Sequence, residues 1–442
     1  MVAVNWRLFE ENLSKRMEAD HIPGVAIAVS KNGEVIYQKG FGVKDLESME
    51  LVTPKTIFGI ASVTKSFTAL AIMKLEEEGK LSIHDPVIKY LPEFQIPNID
   101  AMESIKIYHL LTHTTGLAPI RRREELNKFH EHLTYLAEKE HSLLGKPGEY
   151  LSYCNDTFLL LGAIIERLTG RIYRRYITEE LLTPLQMNRS SFSIEEINKL
   201  DDVSSPYVYH QETEQFEKQN WPTLGNYEVG GGIRSNVLDL LKYGELYVNQ
   251  GLIEEDTFIS KNQLEKMQNP YVHINRNSYY GFALQVTPDY HGVTLVEHGG
   301  GQPGVSSNFG FITEHKLAIA VLTNVSDAPA KDIWLEVANT ALELPIKINH
   351  NYFEPTIELP EERKKKFVGT YQSEEGTYLQ ILLEGSVLQA KIDNKIFTLR
   401  ATDQTTLVIM ETDRPIRFYF NPNDEPWAAF LGLRMLLKTA GN

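Results

Sequence analysis

The placement of strand-like segments at the two ends of a long helical stretch most constrains how this chain folds. Residues 24–29 and 34–39 are short apolar runs around Asn32-Gly33. Asn-Gly accepts positive φ at both turn positions, so the pair predicts a hairpin. Helical patterns follow at 62–78, 105–112, 157–168 and 173–182. Strand patterns return at 280–286, 293–297, 307–312 and 317–323, and a helix is expected at 332–344. Strands first and last with helices between predict an α+β unit, in which one antiparallel sheet draws on both ends of the segment and packs against helices. That order brings residue 62 near the late strands. After about residue 348 the character changes. Glu354-Pro355, Leu359-Pro360 and Lys364-Lys365-Lys366 read as a linker. Seven short β-rich segments then predict a small antiparallel barrel or meander. The expected division is 1–350, a linker at 351–366, and a β domain at 367–442.

A chain of 442 residues exceeds one ordinary core. Hydrophobic and charged contents of 42% and 23% fit a soluble globular protein. The net charge of −15 argues against nucleic acid or an anionic membrane as the partner. Basic clusters at Arg121-Arg122-Arg123, Arg174-Arg175 and Lys364-Lys365-Lys366 have acidic neighbours and read as solvated loops and a linker. Residues 6–20 read as an amphipathic helix with no apolar leader before it, and no run is long enough to span a bilayer. The chain is therefore expected in the cytoplasm. A single cysteine, Cys154, rules out an internal disulfide.

The chemistry centres on Ser62-Val63-Thr64-Lys65, the one Ser-x-x-Lys in the sequence. It opens a helix, and a residue three positions on shares the same face, so the Lys65 amine can reach the Ser62 hydroxyl. A neutral hydroxyl is a poor nucleophile until a nearby base takes its proton. The helix N-terminus adds N–H groups and positive potential that favour a developing oxyanion. A capping serine followed by a surface lysine is the other reading. Tyr153-Cys154-Asn155 precedes an apolar helix. A phenol beside a cationic lysine has its anion favoured and can act as general base and then acid. Asn155 can donate to a substrate carbonyl and accept from an amide, or it can cap the helix. His298-Gly299-Gly300-Gly301 follows the strand expected to end at Glu297. Glycines there let a substrate lie against an edge strand and expose backbone N–H groups, one of which could pair with that of Ser62 as an oxyanion hole. A flexible turn with a surface histidine is the alternative. His109 and His113 are four apart but read as packed or capping residues, with no third metal ligand evident. His130 and His132 read as solvent face, and Cys154 as a small filler. No metal or cofactor is expected.

These elements resemble the serine β-lactamase and penicillin-binding superfamily, on its class C side. The resemblance is carried by Ser62-x-x-Lys65, Tyr153-x-Asn155 and His298-x-Gly300 in that order, and by the blocks at 58–68, 107–117, 147–155 and 297–304. It spans residues 6–344. It implies an antiparallel sheet with flanking helices plus an all-helical subdomain. It further implies that Ser62 is acylated, that Lys65 activates it and that Tyr153 shuttles protons. Asn155, His298, Gly299 and Gly300 would bind substrate, and the N–H groups of Ser62 and Gly301 would form the oxyanion hole. His298 stands where penicillin-processing relatives often carry lysine, and a histidine is only partly charged at neutral pH. A serine hydrolase acting on a small molecule or short peptide is therefore expected, first a peptidase for small or D-amino-acid peptides. A carboxylesterase, a β-lactamase or a non-catalytic penicillin-binding sensor are the alternatives. The C-terminal segment resembles the lipocalin-like barrel of some peptidases of this group, through which copies of the chain could pair.

Overall fold

The computed structural model describes residues 6–99, 101–347, 354–393 and 395–439. Its main sheet has eight antiparallel strands. Their order across the sheet is Glu34–Gly42, Gly24–Lys31, Leu317–Thr323, Val305–Ile312, Val293–Gln302, Gln285–Tyr290, Ser278–Tyr280 and Val272–Asn275. The N-terminal hairpin pairs with the late strand Leu317–Thr323, with Val25 opposite Thr323 and Ala28 opposite Ala320. The sheet is thus closed from both ends of the segment, as its element order predicts.

Alternation along the central strands sorts side chains between two cores. Val25, Ile27 and Val29 join Ile319, Val321 and Trp334 on one face, where the helices Trp6–Ala19 and Ala330–Ala341 cover the sheet. Ala26, Ala28, Ala318 and Ala320 face the other way, towards Phe67 and Tyr243. Small residues on that face let the helix Val237–Val248 pack directly on the sheet. The helix Thr64–Glu77 lies within this second core, with eleven of its fourteen residues buried.

The C-terminal region is a closed eight-stranded barrel from Gly369–Gln372 to Arg434–Lys438, sealed where Tyr371 pairs with Lys438. Phe367, Tyr371, Ile381, Leu407, Ile416, Phe418 and Leu436 are among the residues of its core. A fourth apolar cluster straddles the two parts, joining Leu151, Tyr153, Ile274 and Tyr280 to Ala428, Phe430 and Met435. The barrel is therefore packed onto the first unit through a dry contact.

Several expectations need correction. The barrel has an eighth strand, Arg434–Lys438, that the β pattern did not reveal. The basic run at 364–366 lies on a helix, Glu361–Phe367, in which Lys364 is nearly buried and donates to the Ser386 carbonyl at 2.9 Å. Residues 351–353 of the expected linker lie outside the described residues. The segment expected as one strand at 280–286 is two strands interrupted by a tight turn, in which Ala283 has φ of +53°. The His298 glycines lie inside the strand Val293–Gln302 and not in a turn after it. Among the described residues, no helix is long and apolar enough to cross a membrane.

Candidate active site

Ser62 sits in a short 3-10 turn, Ala61–Val63, that leads into the helix Thr64–Glu77. Ala61, just before it, has φ of +45°, a left-handed conformation that costs an alanine energy and persists only where the surroundings impose it. The surroundings do so through Ile60. Its N–H donates to the Ile233 carbonyl at 3.1 Å, and its carbonyl accepts from Ser307 Oγ at 2.8 Å. Gly300 on the adjacent strand makes this approach feasible. A Cβ there would lie 2.3 Å from Ile60 O and 3.0 Å from Ser62 N. The glycine is needed because the strand and the Ser62 turn touch backbone to backbone.

Lys65 is 1% exposed. Its Nζ lies 3.2 Å from Ser62 Oγ and donates to the Gly230 carbonyl at 3.0 Å. Gly230 makes room for it, since a Cβ there would stand 2.7 Å from the amine. Burial, reinforced by the positive charges of Arg122 and Arg434, drives the Lys65 pKa well below the ordinary lysine value. The lowered pKa favours the neutral amine, whose lone pair can accept a proton.

Tyr153 is also buried, with its ring centroid 4.8 Å from Lys65 Nζ and 5.1 Å from the Arg434 guanidinium carbon. Its main-chain N–H donates to the Leu433 carbonyl of the barrel at 2.7 Å. Burial raises the phenol pKa well above the usual value, although the Ser62 hydroxyl and Arg434 pull against it. Burial thus works against the phenolate that the sequence reading favoured, while the Ser62 hydroxyl and Arg434 work for it.

Asn155 opens the short helix Asn155–Phe158 with Cys154 at its N-cap, so its side chain is not the cap. It donates from Nδ2 to Glu375 Oε1 at 2.8 Å. A carboxylate only accepts, which fixes the orientation of the amide. Glu375 comes from the barrel, and its Oε2 accepts from Arg434 Nε at 2.6 Å. Burial works against this carboxylate, but Arg434 and Asn155 hold its pKa below the ordinary glutamate value.

His298 is not part of the cavity wall. It is 2% exposed, its Nδ1 donates to the Gly299 carbonyl at 2.6 Å, and its Nε2 meets the Tyr280 hydroxyl at 3.0 Å. Burial, with Lys65 nearby, pushes its pKa down to about 3. The imidazole is neutral throughout the physiological range, not partly charged as the sequence suggested. Gly299 pairs with Asn308 in the sheet. From this strand only Gly301 and Gln302 reach the cavity.

That cavity is small, about 70 Å³. Ser62, Tyr153, Asn155 and Gly301 line it, joined by Arg122 and Arg434. The structure thus gathers most of the residues that the sequence singled out, and adds two guanidiniums and a barrel carboxylate that it did not. Arg122 belongs to a cluster read as a solvated loop; its guanidinium instead lies 4.7 Å from the Tyr227 ring beside the cavity. His132 also departs from its expected solvent-facing place. It is fully buried, with Nε2 3.2 Å from Asp156 Oδ1, an oxygen that also accepts from Tyr227 Oη at 2.6 Å. His109 caps its own helix by accepting from the Lys106 N–H at 3.0 Å, and His113 Nδ1 accepts from the Cys154 N–H at 3.2 Å. Among the described residues, no group of three or more His, Cys, Asp or Glu side chains could hold a metal.

Two buried neutral histidines have a stability consequence. For His298 the folded pKa of about 3 lies below the unfolded value of 6.5, so between these values the unfolded chain binds more protons. Stability from this group is intact above about pH 6.5 and falls as the pH drops towards 3, by up to about 5 kcal/mol. His113 is shifted in the same direction. Denaturant melts between pH 7 and 4 are expected to show this loss, and His298→Gln is expected to flatten the slope. An identical slope in the variant would contradict the assignment.

The family profile described as Beta-lactamase matches residues 9–342. The chain belongs to the beta-lactamase family, whose general chemistry is serine acyl transfer and hydrolysis. It is 26% identical over 437 residues to "Penicillin-binding protein 4*" of Bacillus subtilis (strain 168), covering 94% of this chain and 92% of that relative. It is 37% identical over 182 residues to "Protein flp" of Staphylococcus aureus (strain NCTC 8325 / PS 47), covering 40% of this chain. The match spans only 36% of that relative's length. The solved octameric penicillin-binding protein homologue from Pyrococcus abyssi superposes with a TM-score of 0.73 at 29% identity, over 98% of this chain and all of the other.

Proposed function

We propose that this protein is a serine hydrolase that forms an acyl-enzyme on Ser62, and that it acts on small amide substrates, D-amino-acid peptides first among them. The observation that carries this reading is a buried Lys65 amine, its pKa driven well below the ordinary lysine value, 3.2 Å from the Ser62 hydroxyl. Lys65 takes the proton as Ser62 Oγ attacks the substrate carbonyl. The N–H groups of Ser62 and Gly301 receive the oxyanion. The proton then passes from the Lys65 ammonium, by way of the neutral Tyr153 phenol, to the departing nitrogen, and the C–N bond breaks. Water then attacks the resulting ester and gives its proton to Lys65; the proton returns to Ser62 Oγ as the acyl C–Oγ bond breaks and the acid leaves. Asn155, held by Glu375, orients the substrate amide. The small cavity favours compact groups around the scissile bond, and the penicillin-binding relatives support a peptide over a fatty ester.

Intact mass spectrometry after incubation with a D-alanyl-D-alanine peptide, p-nitrophenyl acetate and a fluorescent penicillin tests the reading. An acyl adduct that maps to Ser62 with at least one donor is expected. No adduct with any of them would end it. The octameric homologue also supports self-association of this chain. Light scattering is expected to give a mass above that of one chain, and a monomer across the micromolar range would refute this.

A further inference from the structure

Enzymes that act next to a carboxylate need a fixed cation to hold it. His298, at the position where a lysine would serve, is buried, neutral and away from the cavity. The cavity wall nevertheless carries two guanidiniums, Arg122 and Arg434, and no acidic side chain. We propose that Arg434, with Arg122, is the specificity-determining cation of this site and binds a free carboxylate on the substrate, within about one residue of the attacked carbonyl. The inference rests on the function proposed above.

The distance limit follows from size. Ser62, Arg122 and Arg434 line one cavity of about 70 Å³, so a group held by Arg434 lies close to the attacked carbon. One residue advances the chain by about 3.8 Å. A terminal amino acid, cut off with its own carboxylate, meets this limit, and an internal peptide bond of a longer chain does not. Arg434 is built for the task. Its plane packs against the Tyr153 ring, and one of its five N–H donors, that on Nε, is spent on Glu375. That bond sets the guanidinium's direction, and a planar fork suits a carboxylate better than a point charge does. Glu375 is a positioning residue. Its other oxygen holds Asn155, so one barrel carboxylate aligns the amide-binding side chain and the anion-binding side chain together. The cation comes from the barrel, and substrate choice is divided between two domains.

The test compares two matched peptides ending in D-alanyl-D-alanine, one with a free carboxylate and one with a carboxamide. The wild-type enzyme is expected to favour the free acid by about 10- to 100-fold in kcat/KM, the range of a charged hydrogen bond. In the double variant Arg434→Met, Glu375→Gln, which removes both buried charges and keeps an acceptor for Asn155, that ratio is expected to fall towards one, mainly through KM. Glu375→Gln alone is expected to narrow the ratio less. Arg122→Gln is a second probe that does not disturb the barrel contact, and it is expected to narrow the ratio as well. Melting curves establish that each variant is folded. Equal turnover of acid and amide by the wild type would overturn the proposal, as would a ratio unchanged in the folded Arg434 and Arg122 variants. Failure of Ser62 to accept an acyl group even from p-nitrophenyl acetate is a different result: it removes the hydrolase reading and this inference with it.

Discussion

Replacing Ser62 with alanine is expected to abolish covalent labelling by a fluorophosphonate and to lower kcat for any accepted amide by about 10⁴-fold or more. The size of the effect follows from the absence of a substitute. The chain's single thiol, that of Cys154, is fully buried, and burial raises its pKa to about 12. It has almost no thiolate at neutral pH. The alanine should leave the fold intact, because Ser62 is only half-buried and the turn is fixed by Ile60 and its neighbours. The melting temperature should stay within a degree or two while activity disappears. Labelling that persists at another residue would remove Ser62 from the mechanism.

The second large effect is expected at Lys65, where two substitutions separate charge from proton transfer. Lys65→Met keeps the length of the side chain in a fully buried place and adds no charge there, so the protein should remain folded. It removes the base, and kcat/KM is expected to fall by about 10³- to 10⁴-fold. Lys65→Arg keeps a cation but cannot lose its proton, so activity should fall as far. The permanent charge would lie near Arg122 and Arg434, and stability should fall too, by several kcal/mol. The pH profile provides the further check. In the wild type, kcat/KM should decline as the pH drops through the lowered Lys65 pKa, because the amine then carries a proton and cannot take another. Residual activity of Lys65→Met should lack that limb. An arginine variant as active as the wild type would exclude Lys65 as the base.

How much of this could be read beforehand depends on whether a feature is local. The sheet built from both ends follows from hydrophobic runs and turn signals that each occupy a few residues. The approach of Lys65 to Ser62 follows from helix geometry alone. The strand at Arg434–Lys438 escaped notice because five residues after a glycine turn give too short an alternation to register. With it went Arg434, the residue that ties the barrel to the cavity. Glu375 lies in Ser373-Glu374-Glu375-Gly376, which reads as an acidic loop until its distant partners Asn155 and Arg434 are known. Arg122 was hidden by its charged neighbours in the same way. The glycines after His298 suggested a turn because glycine weakens strands, yet the strand persists because only glycine admits the Ile60 carbonyl. The burial of His298 and the lowered pKa of Lys65 are properties of the assembled interior, and no window of sequence contains them.

The Arg434 strand has a consequence in time. It is synthesised after every other element described, and it closes the barrel, donates from the Met435 N–H to Ser152 Oγ and carries the guanidinium at the cavity. A ribosome-bound chain that already displays Ser62 and Lys65 still lacks this wall, so under the proposed role of Arg434 the nascent protein gains its selectivity only when that strand docks. Clipping the strand away is then expected to remove the carboxylate-binding cation while Ser62 and Lys65 stay in the chain.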